Sequence, residues 1–274
     1  MVRKDIFAGS WYPNNKQELL NLISYNKVDN PNVRFAVIPH AGLFYSSSLI
    51  KLFFSHLSSN IKRLLIISPS HYYRVPNDLI GSDKFDSYET PLGSIRGFCL
   101  NPFEKDYKEV IQAEHAVEMI LPFCKLRENL KVSTAIVNNF TSYEKALWYA
   151  KKIIESIDEN TAVVASSDFT HYGPRFSYTP FQGKNPEKQV FESDNNIAQL
   201  FCSSQGKEAY ETAKKNGATI CGLAPILVVS EIARLLEYKG FVAGQSNSNI
   251  VNKTKEESFV SYFCLLWGKN GTKR

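Results

Sequence analysis

The chain has little of what usually assigns a protein to a class at once. It has no Cys-x-x-Cys pair: its five cysteines, Cys99, Cys124, Cys202, Cys221 and Cys264, are odd in number and widely spaced. That argues against a disulfide framework and suits reduced thiols in a cytoplasmic setting. No apolar stretch is long enough to span a membrane, and the opening Met-Val-Arg-Lys-Asp-Ile-Phe lacks a core of signal-peptide length. The net charge is +5, with a basic tail at Lys269, Lys273 and Arg274, but no basic run is interleaved with aromatics. Nucleic acid is therefore not an expected partner. Other basic residues alternate with acidic ones along expected helices, as on solvated faces. No Gly-x-Ser-x-Gly elbow supports a serine hydrolase, and neither an internal repeat nor a linker divides the sequence.

What is present suffices for a sizeable core. The 274 residues are 43% hydrophobic and 22% charged, ordinary values for a globular protein. We expect one α/β domain over residues 1–274, with a central mostly parallel or mixed sheet flanked by helices. Apolar runs at 33–38, 63–68, 131–137, 161–165, 241–246 and 258–267 read as strands. Helical spacing falls at 46–58, 113–121, 142–156, 187–202, 206–215 and from Cys221-Gly222 to Leu236, the last stopped by Gly240. Asn15 with Glu18 starts an earlier helix, and Thr141 with Glu144 reads as a capping box. Pro122 is expected to kink or end its helix. Residues 69–98 are too long for a simple connection and are expected to hold short strands or shape a rim. Residues 174–186 look like a loop.

Histidine is scarce, and its placement is informative. Of five histidines, three follow apolar runs: Ile38-Pro39-His40, Ser68-Pro69-Ser70-His71 and Ser166-Ser167-Asp168-Phe169-Thr170-His171. Strand ends are where loops of an open α/β sheet converge over a ligand crevice. These histidines are candidates for one cluster, with Asp168 facing the same cavity across a turn. Cys221 is the best-placed thiol, because a helix N-terminus favours the thiolate. Neutral imidazoles with a thiolate suit a divalent transition metal such as iron, copper or zinc, and three ligands leave a position open. The alternatives are histidines satisfied by loop backbone and an Asp168 that only bonds backbone amides. His115 is either a site residue or a helix-start histidine, and His56 reads as a surface or boundary residue. Cys99, Cys124, Cys202 and Cys264 read as small apolar fillers. Trp11, Tyr45 and Tyr172 are candidates for substrate contact; Tyr12, Tyr45 and Tyr172 are each placed to donate a hydroxyl to a substrate or, alternatively, to wall the cavity.

Taken together, several segments carry a resemblance. Ala8-Gly9-Ser10-Trp11-Tyr12-Pro13, Pro39-His40-Ala41-Gly42, Pro69-Ser70-His71, Glu114-His115, Ser166 to Gly173 and Ile220-Cys221-Gly222 occur in the order seen in the MEMO family. The similarity runs from the opening aromatic segment to the final strand. It implies a fold similar to the class III extradiol ring-cleaving dioxygenases, which use non-haem iron(II). It also implies that His40, His71 and Cys221 occupy metal positions, with Asp168 and His171 lining the same cavity as acid–base or supporting groups and His115 a further candidate. In those dioxygenases a carboxylate stands where Cys221 does, which sets ring cleavage in question and opens copper or zinc as alternatives. The segment after Gly42, Leu43-Phe44-Tyr45-Ser46-Ser47, departs from the family pattern, which has an aromatic first and a glycine after the serine.

Three functions stay open: a metal-dependent redox or oxygenase-like enzyme on a small substrate, a binding protein for a peptide or anionic ligand, and a metal-independent Cys/His hydrolase. Animal members of the family are described as adaptors in motility signalling that recognise phosphotyrosine peptides, and as having copper-dependent redox activity. Prokaryotic ones are often called AmmeMemoRadiSam system protein B, a name that implies a radical-SAM enzyme as partner.

Overall fold

Three six-residue runs, Val33–Ile38, Arg63–Ser68 and Thr161–Ser166, are almost entirely apolar or small, and all but Arg63 are buried. Such runs fit only strands covered on both faces, the usual situation of a parallel sheet. The computed structural model, which describes residues 1–29, 31–100, 102–103, 105–181, 183 and 185–269, places them side by side. Residues 182 and 184 of the expected 174–186 loop, and Lys273 and Arg274 of the basic tail, lie outside the described residues.

Val33–Ile38 pairs in parallel with Thr161–Ser166, which pairs in parallel with Arg63–Ser68, which pairs in parallel with Lys131–Ile136. Flanking strands make the sheet mixed. Phe259–Gly268 runs antiparallel to Val33–Ile38 and carries Lys239–Asn247 antiparallel on its other side. At the opposite edge Gly81–Ser82 runs antiparallel to Lys131–Ile136, followed by Lys105–Asp106. The long 69–98 segment thus supplies a sheet strand. It also supplies Ser87–Tyr88 and Ile95–Arg96, which with Val2–Arg3 form a separate three-stranded sheet.

The two-residue period of a strand divides the core into two layers. Phe35, Val37, Leu65, Ile67, Val163 and Ala165 face the side covered by helices Tyr143–Ser156, Pro186–Cys202, Gly206–Lys215 and Leu223–Leu235. Ala36, Ile38, Leu64, Ile66, Ala162 and Val164 face the other side, packed by helices Lys16–Ile23 and Leu43–His56 and by residues 111–124. This is a mixed α/β domain built on a central sheet flanked by helices, as expected.

Several element ends differ from the sequence reading for local reasons. The expected 113–121 helix is two short helices, His115–Glu118 and Leu121–Lys125, and Pro122 lies in the first turn of the second, where its missing N–H costs nothing. Ser142, not Thr141, caps the helix Tyr143–Ser156, accepting from the Lys145 N–H, while Thr141 bonds Asp78. The helix after Gly222 ends before Glu237, which takes a left-handed φ of 60°. Gly240 instead lies in a strand, where a Cβ would come within 2.7 Å of the Cys202 backbone. Cys124, Cys202 and Cys264 are buried as apolar fillers, but Cys99 is exposed. His56 is half-buried, with Nδ1 2.7 Å from the Leu52 carbonyl.

Candidate metal centre

The parallel strands set the direction of the site. Val33–Ile38, Arg63–Ser68 and Thr161–Ser166 end on the same side of the sheet, so the segments leaving them carry His40, His71 and Asp168 to one place. Cys221 arrives from the other layer, one residue before Gly222, the N-cap of helix Leu223–Leu235. Gly222 is required there. A Cβ on it would lie 2.5 Å from Ser167 Cβ and 2.6 Å from the Ser166 carbonyl, so only glycine lets the helix start against the strand end.

The structure brings His40, His71 and Cys221 together. One ring nitrogen of each histidine and the Cys221 Sγ all lie within 4.8 Å of one another, and Sγ is 3.2 Å from His40 Nε2. The hydrogen bonds around the rings set their tautomers. Ser166 Oγ donates its single proton to the Ala116 carbonyl at 2.7 Å, so it accepts from His40 Nδ1 at 2.9 Å. His71 Nδ1 donates to Glu114 Oε1 at 2.8 Å, and the His71 backbone N–H donates to Oε2 at 2.7 Å. Both Nε2 atoms are thereby left with free lone pairs. This is the arrangement in which a second group fixes a ligating imidazole, and a carboxylate behind histidine is its commonest form.

The local electrostatics follow from burial. Burial, reinforced by His71, His115 and His171, holds the His40 imidazole far below its usual range, so it is neutral. Burial pushes Glu114 up, but the hydrogen bond and charge of His71, the charge of His115 and the Ala116 N–H outweigh it, and the net shift is downward. Glu114 therefore stays ionised as the acceptor behind His71. Burial pushes the Cys221 thiol far up and the Asp168 carboxylate adds to it, against the Asp168 N–H and the Ser167 hydroxyl. The expectation of a thiolate favoured by the helix start does not hold for the chain by itself: Cys221 lies outside the first turn, and desolvation dominates. The Cys221 sulfur lies 3.2 Å from His40 Nε2 and 3.5 Å from the Asp168 carbonyl, and bound metals deprotonate a coordinating thiol outright. Two bare imidazole nitrogens and one displaceable thiol proton converging on one point fit a borderline or soft divalent metal.

The remaining expected site residues fall at varied distances from this point. Asp168 is buried and lines it, but acts on backbone: Oδ1 accepts from the N–H of His40 at 2.8 Å and of Ala41 at 3.3 Å, and its own N–H points to Cys221 Sγ at 3.3 Å. His171 is half-buried, with Nδ1 near the carbonyls of Phe169 and Thr219, and its charge acts on both Asp168 and His40. His115 is buried against the cluster, its ring centroid 4.4 Å from His71 and 5.3 Å from His40. Its Nδ1 has no hydrogen-bond partner; Glu114 Oε1 is 3.2 Å away but outside bonding geometry. Burial first, then the His71 charge, lower the His115 pKa to about 4. His71, Glu114 and His115 form a second group with donor atoms within 4.8 Å.

Trp11 packs against His115 in a tilted pair with ring centroids 4.3 Å apart and also lines a groove of about 680 Å³ with Ser10, Tyr12 and Phe44. Tyr45 accepts from Asn252 Nδ2 at 3.2 Å. Tyr172 is buried beside Phe259, its hydroxyl donating to the Phe181 carbonyl, in a small apolar cluster apart from the main core. The Tyr12 hydroxyl donates to the buried Glu118.

Sequence reasoning passed over Ser166, Glu114 as a partner for His71, and Glu118. Glu114 stands within the Glu114-His115 motif quoted above, beside the more conspicuous His115. An acid directly before a histidine-bearing apolar stretch is the signal that the sequence offers.

Comparison with known proteins agrees with the segments that carry the resemblance. Residues 3–266 match the family described as Memo-like protein. The chain is 27% identical to the MEMO1 family protein MHO1 of Saccharomyces cerevisiae, over 83% of this chain and 86% of that protein. It is 27% identical to a MEMO1 family protein of Thermoplasma volcanium, over 97% and 98% of the two chains. It is 26% identical to the protein MEMO1 of Rattus norvegicus, over 96% of each.

Proposed function

This chain belongs to the Memo-like protein family, and we propose that its site is an open metal centre held by His40, His71 and Cys221, serving a redox or oxygenase-like reaction on a small substrate. The observation that carries this reading is the tautomer pattern: Ser166 and Glu114 occupy both Nδ1 atoms and leave both Nε2 atoms unprotonated, His40 Nε2 3.2 Å from the Cys221 sulfur, with a ring nitrogen of His71 within 4.8 Å of both. Iron(II) or copper fits a site with one thiolate and two imidazoles, and zinc is the non-redox alternative. Bound there, such a metal would supply Lewis acidity and, for iron or copper, one-electron chemistry.

The residues around the ligands have separate tasks. Glu114 and Ser166 fix the two rings, and Asp168 holds the His40 turn through its backbone. His171, half-buried with Nδ1 held near the carbonyls of Phe169 and Thr219, is the acid–base candidate of this reading. His115 is neutral at pH 7, and its unpartnered Nδ1 is available to a ligand. Trp11 joins this ring to the groove beside it, which gives a substrate a way in. Tyr45 and Tyr172 use their hydroxyls within the protein, so walling is the role their bonds favour.

The raised Cys221 pKa weighs against a metal-free nucleophile, since the thiolate is the reactive form. The similarity to extradiol dioxygenases and the partnership with a radical-SAM enzyme rest on the family resemblance alone.

The test is elemental analysis of protein purified without oxygen and without a metal-binding tag. The expected result is near-stoichiometric iron or copper in the wild type, lost in Cys221→Ser and His71→Ala while the fold persists. A metal content unchanged by both substitutions, or no metal after reconstitution, would overturn the proposal.

A further inference from the structure

The turn Arg127-Glu128-Asn129-Leu130 joins helix Leu121–Lys125 to strand Lys131–Ile136. It is tight: Asn129 takes a left-handed φ of 59°, and the Leu130 N–H donates to the Arg127 carbonyl at 3.3 Å. The turn gathers Lys125, Arg127 and Lys131 around one hollow of about 420 Å³, closed on its far side by Ser94 and Arg96. The Lys125 ammonium reaches the Ser94 carbonyl at 3.0 Å.

This hollow lies where the parallel strands begin, whereas the metal ligands lie where they finish. Helix Leu43–His56 starts just after the His40 turn and ends where Arg127 bonds Leu57, so about 20 Å of helix separates the two places.

The charge around the hollow is one-sided. Arg96, Lys125, Arg127 and Lys131 line it against the single acid Glu128. Among the described residues, none of these five side chains stands in an ion pair. For the three exposed cations that is ordinary. For Arg127 it is not, because its side chain is only 8% exposed. Nη1 and Nη2 donate to the carbonyls of Leu57 and Ser58 at 3.2 and 2.9 Å, so dipoles hold the guanidinium but no carboxylate answers its charge. Burial accordingly pulls its pKa below the usual arginine value. Buried charges are as a rule paired, and here the chain itself supplies no counter-charge.

We propose that this hollow is a second binding site, which takes the diphosphate group of a small molecule between Arg127 on its buried side and Arg96, Lys125 and Lys131 on its open side. A single carboxylate would answer one of four cations, whereas a diphosphate brings several negative charges into one small space. Guanidinium forks match phosphate oxygens in pairs, and ammonium groups add point charges. No aromatic ring lines the hollow, so nothing there stacks on a base, and the phosphates are what is read. This inference is independent of the metal reading.

The test is calorimetric titration of the full chain with inorganic diphosphate at low and at physiological salt, with amide hydrogen exchange on the same samples. The expected result is one diphosphate per chain, weakened by salt, with slowed exchange at 125–131. Arg96→Glu and Lys131→Glu, both at exposed positions, should each weaken binding at least about tenfold. Unchanged thermal melts without ligand show that both variants fold. His71→Ala, which removes a metal ligand, should leave diphosphate binding intact. ADP should bind no more tightly than diphosphate: equal affinity admits diphosphate esters, and lower affinity restricts the site to the free ion. Absence of saturable binding would overturn the proposal, as would binding that ignores both charge reversals. Binding lost in His71→Ala would place the anion at the metal centre instead. Sulfate held as tightly as diphosphate would reduce the hollow to unspecific charge, and ADP held far more tightly would mean that the phosphates are not what is read; either result also overturns it.

Discussion

Glu114 illustrates how much of the site is carried by residues that would never touch a metal. Its carboxylate holds His71 by ring and backbone at once and also accepts from the Ala116 N–H at 3.0 Å. Glu114→Gln keeps the volume but removes the charge behind His71. Metal affinity should fall about 10–100-fold, measured by competition against a chelator, with little change in far-ultraviolet circular dichroism. Asp194 offers a second test away from the ligands. It is buried and accepts from the Thr170 N–H at 3.3 Å and hydroxyl at 2.6 Å, and burial lifts its pKa from 3.8 to about 6. The folded chain therefore binds an extra proton between those values, and stability must fall as pH rises through that window. The loss is on the order of 2–3 kcal/mol, and Asp194→Asn should flatten it in urea titrations between pH 4 and 6.5. At this scale the sequence was legible where chemistry is intrinsic to the residue type. His40, His71 and Cys221 stood out because histidine is rare and sits at strand ends. Ser166 and Glu114 did not, because their roles depend on which neighbour they face. The raised Cys221 pKa was illegible for the same reason: desolvation is a property of the packed site.

At the scale of elements, the joint between strand Thr161–Ser166 and helix Leu223–Leu235 decides whether the sulfur reaches the histidines. Gly222→Ala should drive the helix start away from Ser166 and Ser167, at a cost of about 1–3 kcal/mol. The expected outcome is a folded protein with a lower melting temperature and little bound metal, read by calorimetry and elemental analysis on one preparation. Strands and long helices were legible because two-residue and 3.6-residue periods are set by burial, and those at 33–38, 63–68 and 161–165 differ from the structure by at most one residue. Element ends were less so. Thr141 and Ser142 are both able to cap, and only the Asp78 contact decides between them. Gly240 looked like a helix stop, but its lack of a side chain serves close packing against Cys202.

At the scale of the whole molecule, the N-terminus is tied to the site by a buried ion pair. Arg3 and Glu118 are both fully buried, with Nη1 and Oε2 2.7 Å apart, and Glu118 also accepts from the backbone N–H groups of Ile6 and Phe7 and from the Tyr12 hydroxyl. Glu118→Ala strands the Arg3 charge and should cost about 3–5 kcal/mol, seen as an earlier chemical-denaturation midpoint. It should also loosen Trp11 from His115, lowering the protection of amides 6–12 in hydrogen exchange. The layered α/β architecture was legible because apolar strands alternate with amphipathic helices. The antiparallel placement of Phe259–Gly268 beside Val33–Ile38 was not, since strand order depends on long-range pairing that no local pattern encodes. The convergence of His40, His71 and Cys221 was legible, because each histidine follows an apolar run and parallel strands end on one side.

The most direct measurement on the central claim is X-ray absorption at the metal edge of the reconstituted protein, compared with Cys221→Ser. A first shell with one sulfur and two imidazole nitrogens per metal, the sulfur absent from the variant, is what the geometry predicts. A shell without sulfur in the wild type would contradict it.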